Sequence, residues 1–139
     1  MDREGLRERV ERYFVSGRYN CTMTVLAVLF EVYEMPPDPR LLGAGQCLPG
    51  VGGSGGLCGL VSGTLIFLGV WGYERGLHRS LLSPGCALVV ESVRARFGST
   101  SCALLRTEEG CGNLVLAYLE QILPVVRQVT EDLTRSHQE

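Results

Sequence analysis

LCGLVSGTLIFLGVWGY, Leu57 to Tyr73, is the stretch on which the fold turns. It carries no charge and shows no period-2 alternation, so it reads as a buried helix rather than a strand. Its apolar length lies at the bottom of the range that crosses a bilayer, and four glycines interrupt it. No basic flank anchors it and no second such segment exists, so a core helix is expected and no membrane span. The charge-free region reaches back to Leu41, and 11 of the chain's 18 glycines fall between Leu41 and Tyr73. Residues 43–56 are too glycine-rich for a helix or strand and read as a long loop that delivers Cys58 to the helix start.

Outward from this segment the pattern stays helical. Residues 2–15 place Leu6, Val10 and Tyr13/Phe14 at helical spacing among Arg and Glu, and Gly17 ends that helix. Asn20 is an N-cap for a helix from Cys21 to Met35, which stops before Pro36-Pro37. Cys21, Val25, Val28/Leu29 and Val32 share one of its faces. Ser83 and Pro84 read as the cap and first residue of a helix to Phe97, ended by Gly98. Ser99 to Ser101 cap a short turn carrying Cys102. The last helix is expected from Asn113 to Leu133, kinked or split at Pro124, with a polar tail over 134–139. The expected fold is therefore one all-α domain, residues 1–139, a bundle of about five helices with one long glycine loop.

A chain of 139 residues with a net charge of −2 offers no footprint for nucleic acid. All 13 basic residues are arginine, which removes Schiff-base and phosphate-binding lysines. The charged start, MDREGLRERVERYF, lacks the apolar region of a secretory signal, so a cytoplasmic protein with reduced thiols is expected.

Two motifs in the loop lack their context. Gly50, Gly52 and Gly55 match G-x-G-x-x-G, but no strand precedes them, and without lysine there is no P-loop. No nucleotide is expected. Ser54 sits in G-x-S-x-G, again without the strand of a nucleophile elbow. His78 and His137 read as surface residues.

Six cysteines in a reducing compartment point to metal, catalysis or redox chemistry rather than a static disulfide framework. No C-x-x-C occurs, against a thioredoxin motif and against zinc ribbons. Cys21, Cys58 and Cys111 stand at expected helix starts, and Cys102 follows the cap-like Ser99–Ser101. A helix N-terminus favours the thiolate, the form that ligates metal and does redox chemistry. The alternative is that they only pack, and Cys47 and Cys86 are read that way; Cys86, in the first turn expected from Pro84, could also be activated. Gly59 and Gly63, four apart, leave a bare helix face for a cofactor or for a closely packed helix.

These pieces resemble the C_GCAxxG_C_C family of redox-active proteins, marked by four cysteines and a Cys-Gly-Ala-x-x-Gly motif. Tyr19-Asn20-Cys21 is similar to its first cysteine motif, Cys58-Gly59-Leu60-Val61-Ser62-Gly63 to the central one, Phe97 to Cys102 with Leu105 to the third, and Cys111 to the fourth. The likeness spans roughly residues 16–123; Leu60 stands where the family has Ala, and Cys47 and Cys86 lie outside the four. It implies an α-helical redox domain. Similar cysteine domains occur joined to haem segments in split-Soret cytochromes, where an iron–sulfur centre is implied.

Cys21, Cys58, Cys102 and Cys111 are thus expected to converge as ligands of an iron–sulfur cluster or as thiol/disulfide pairs, with Cys58 the redox-active thiol. A structural zinc site or a non-catalytic helical interaction module is the alternative. No haem is expected, because C-x-x-C-H is absent. A redox partner protein is implied. A homodimer through Leu114, Leu116, Leu119, Ile122, Val125 and Val126 is weighed against that stripe being the helix's own core face.

Overall fold

The computed structural model describes residues 1–105 and 111–137. Among them there are helices and turns and no strand, only one isolated antiparallel bridge between Leu57 and Ser101. The all-α expectation holds. The described helices number eight rather than about five.

Helix α1 (Arg3–Arg9) starts where the Asp2 carboxylate accepts the Gly5 N–H at 2.8 Å, and it continues as a π-helical turn over Val10–Val15. Helix α2 (Cys21–Val32) starts at Asn20, whose side-chain oxygen accepts from Met23 N at 3.0 Å. The short α3 (Pro39–Ala44) has Asp38 as its cap and Pro39 at its first position, a start signal hidden among neighbouring prolines. The turn α4 (Gly50–Gly53) has positive φ at Gly50, Val51, Gly52 and Gly53. The quoted stretch forms α5 (Gly59–Glu74), followed by α6 (Arg79–Phe97), the one-turn α7 (Cys102–Leu105) and α8 (Gly112–Ser136).

Three boundaries depart from expectation: α2 ends at Val32 rather than Met35, and the other two lie in α6 and α8. Helix α6 starts at Arg79, not Pro84, because His78 Nδ1 accepts the Ser80 N–H at 3.2 Å and caps it there. Pro84 then lies inside the helix, and Cys86 is beyond the first turn, out of reach of helix-terminal activation. Helix α8 runs unbroken through Pro124 to Ser136, three residues into the expected polar tail. Gln138 and Glu139, the end of that tail, lie outside the described residues.

Helix α5 is the axis. It buries Leu60, Val61, Phe67, Leu68 and Trp71 against Val25, Leu26, Leu29 and Phe30 of α2, Val89 and Val93 of α6, and Val115, Tyr118, Leu119, Ile122 and Val126 of α8. A helix apolar on most of its surface needs such neighbours on several sides. No described helix is long and apolar enough to cross a membrane. The contact of α5 with α2 is the closest. A Cβ at Gly63 would stand 2.7 Å from the Thr22 carbonyl oxygen, so only glycine lets the two backbones meet there.

Candidate redox site

The glycine loop is held by backbone pairing with the chain around Cys102. Cys58 N–H donates to Thr100 O at 2.8 Å and Cys102 N–H to Gly56 O at 2.6 Å, on either side of the Leu57–Ser101 bridge. The Ser101 hydroxyl adds a 3.0 Å bond to Gly55 O. In such a pairing Cys58 and Cys102 are diagonal neighbours on one face, with Cα atoms about 7–8 Å apart. Gly50 keeps the space beside Cys102: a Cβ there would lie 3.3 Å from its sulfur. Ser54 donates its hydroxyl to Gly50 O and Val51 O, both at 2.9 Å, and so closes the turn.

Cys21 reaches the same place from α2. A Cβ on Gly59 would overlap the Cys21 sulfur and lie 2.6 Å from Thr22 Oγ1 and 3.1 Å from Pro49 Cα. The absent side chain of Gly59 therefore seats Cys21 one residue from Cys58. The Asn20 amide, besides capping α2, donates to Gly45 O at 3.2 Å and Gln46 O at 3.0 Å, tying the loop to this helix start. The Gly59/Gly63 face is filled by Cys21 and Thr22, the close-packing alternative for that bare strip. Leu60, the departure from the family's Ala, is fully buried in the core.

The four cysteines do open helical segments. Cys21 is the first residue of α2, Cys58 the N-cap of α5, Cys102 the first residue of α7 and Cys111 the N-cap of α8. Their sulfurs feel one another: negative charge on Cys58, Cys102 and Cys111 opposes ionisation of Cys21, and charge on Cys102 and Cys111 opposes that of Cys58. The other two stand apart. Cys47 is exposed rather than packed, and Cys86 is half-buried in α6, its thiol pushed up by burial alone.

The expected activation by helix N-termini is reversed at two of the four. Burial is the largest influence on Cys21 and, with the neighbouring sulfurs, pushes its thiol up to about 11 despite the Thr22 N–H. Burial likewise raises Cys58, against the opposing pull of the Leu60 and Val61 N–H groups at the start of α5. Desolvation of a thiolate outweighs one or two peptide dipoles. All six cysteines are free thiols, and among the described residues no three His, Cys, Asp or Glu side chains stand close enough to hold a metal ion. The four sulfurs as they stand do not fit a preformed metal centre.

Fold and site together define a small all-α domain organised around four cysteines at helix starts. The chain belongs to the family described as "Putative redox-active protein (C_GCAxxG_C_C)", whose model matches residues 19–123. Comparison with curated proteins and with solved structures returned no match.

Proposed function

We propose that this is a small redox or electron-transfer protein whose chemistry resides in Cys21, Cys58, Cys102 and Cys111. The observation that carries the reading is the placement of the four cysteines at the starts of four different helical segments, with Cys21 seated against Gly59 beside Cys58 and the Cys58 chain paired with the chain at Cys102. In the thiol/disulfide form Cys58 pairs with Cys21, whose sulfur rests against Gly59. One sulfur, as thiolate, attacks a disulfide of a partner protein. The second displaces the partner from the mixed disulfide. Two thiols become one disulfide, and two electrons and two protons convert the partner's disulfide to thiols.

A second reading has the same four thiolates holding a [2Fe–2S] or [4Fe–4S] cluster, favoured by the soft, all-sulfur donor set. It requires the sulfurs to draw closer than they stand.

The test is anaerobic purification of the full chain, metal analysis and visible absorption, then equilibration with glutathione couples and alkylation mapping. The thiol reading predicts reversible loss of two thiols including Cys58; the cluster reading predicts bound iron and a coloured protein. Iron-free protein whose Cys58 stays a free thiol at every potential overturns both. Stoichiometric zinc with no reversible oxidation would make the site structural.

A further inference from the structure

Gly50 to Gly56, GVGGSGG, folds as a turn in which one residue is under strain. Gly50, Gly52, Gly53 and Gly55 have positive φ, which glycine adopts without steric cost. Val51 shares that region, with φ 51° and ψ 73°. A β-branched side chain is crowded there by the backbone. Packing does not offset the strain, since Val51 is 55% exposed and lies over the turn's own Gly56, where a Cβ would stand 3.3 Å from Val51 Cγ2. The turn rests on Cys102. A Cβ on Gly50 would come within 3.3 Å of both Cβ and Sγ of that half-buried residue, so Gly50 covers one side of its sulfur. The turn is held there by Cys102 N–H on Gly56 O at 2.6 Å, the Ser101 hydroxyl on Gly55 O at 3.0 Å and Ala103 N–H on Gly55 O at 3.4 Å. Internally it closes on Gly50 O, which accepts the Ser54 hydroxyl at 2.9 Å and the Gly56 N–H at 3.0 Å. It is one compact unit, and beside its tip, Gly52 and Gly53, a Cβ would meet no described residue within 4 Å.

We infer that this turn is a strained cover over Cys102, which lifts locally while the helix bundle stays folded and so exposes that sulfur. Strain confined to the closed form raises the population of the open one, because a lifted turn lets Val51 return to negative φ. A turn that only closed the fold would be steadier with glycine or asparagine at 51, which take this conformation readily. The cover rests on the redox reading for its purpose, access of a partner protein to Cys102, and not for its motion.

The test is amide hydrogen exchange on the full chain, reduced and metal-free, and on its Val51→Asn variant. It is read at Cys102, whose N–H donates into the turn, and at Phe67, buried in the middle of α5. Corrected for intrinsic rates, the wild-type Cys102 amide should exchange at least about tenfold faster than that of Phe67, with a weaker dependence on urea, as a local opening requires. Val51→Asn should slow Cys102 about five- to thirtyfold, the factor for one residue relieved of left-handed crowding. Phe67 should slow by the same factor, because the relaxed turn is common to the lifted and the unfolded chain. Alkylation of Cys102 at fixed pH should slow with its amide. Cys102 and Phe67 exchanging as one unit in the wild type would overturn the cover. So would a Cys102 amide that Val51→Asn leaves unchanged, since the opening would then not relieve Val51. Alkylation that stays fast while the amide slows overturns it too, because the sulfur would need no lifting. A chain that meets all three expectations yet has neither a reversible couple nor bound iron overturns the redox reading and leaves the cover standing.

Discussion

At Cys21 two physical effects compete, and the outcome has a measurable consequence. Its sulfur lies at the start of α2, where peptide dipoles favour the thiolate, yet burial wins and holds the thiol up to about 11. The unfolded chain loses this proton near a thiol's ordinary 9.0, while the folded protein keeps it to about 11. Between those values the folded state holds more protons, so the stability of the reduced, metal-free protein falls as pH rises. Urea midpoints at either end of that window should converge in Cys21→Ser relative to wild type; equal losses in both proteins would contradict the assignment. The helix-start position of Cys21 could be read from Asn20, and the structure bears it out. Its burial could not, because Gly59, against which its sulfur rests, belongs to a different helix, α5.

Helices α2 and α5 show why glycines in the quoted stretch are not equivalent. A Cβ on Gly63 would stand only 2.7 Å from the Thr22 carbonyl oxygen, whereas Gly69 faces open space. Gly63→Ala should destabilise by about 1–3 kcal/mol, because neither backbone can yield. Gly69→Ala should stabilise by about 0.5–1 kcal/mol through helix propensity. Thermal or denaturant melts of the two variants check this, and equal shifts would mean that the helices do not approach as closely as described. The same spacing in sequence could not separate them, since the partner helix lies some forty residues away. Helix α6 carries a similar lesson. Ser83-Pro84 is a sound local start signal, yet His78 caps the helix a turn earlier and the proline is absorbed. The longer helices were readable from their apolar residues at helical spacing, and α2 also from its Asn20 cap. The extra three are one- or two-turn pieces in and around the glycine loop: α3 starts at its own Asp38 cap, α4 is held by bonds within the loop, and only α7 is held by pairing with distant chain, Cys102 N–H on Gly56 O.

For the molecule as a whole, α2, α5, α7 and α8 each carry a cysteine at their start, around a core built on α5, and the proposal makes these four one arrangement. The stripe that suggests a dimer is in large part used within the chain, with Leu119, Ile122 and Val126 fully buried in its own core. Two of the six cysteines fall outside the arrangement, which allows the central claim to be isolated. The direct measurement is the free-thiol count, by mass after alkylation, of the anaerobically purified Cys47→Ser/Cys86→Ser chain equilibrated across glutathione potentials. The account predicts that this chain, with only the four site cysteines left, still reversibly loses a pair of thiols including Cys58, or else carries bound iron. Four thiols that remain free and metal-free at every potential would contradict it.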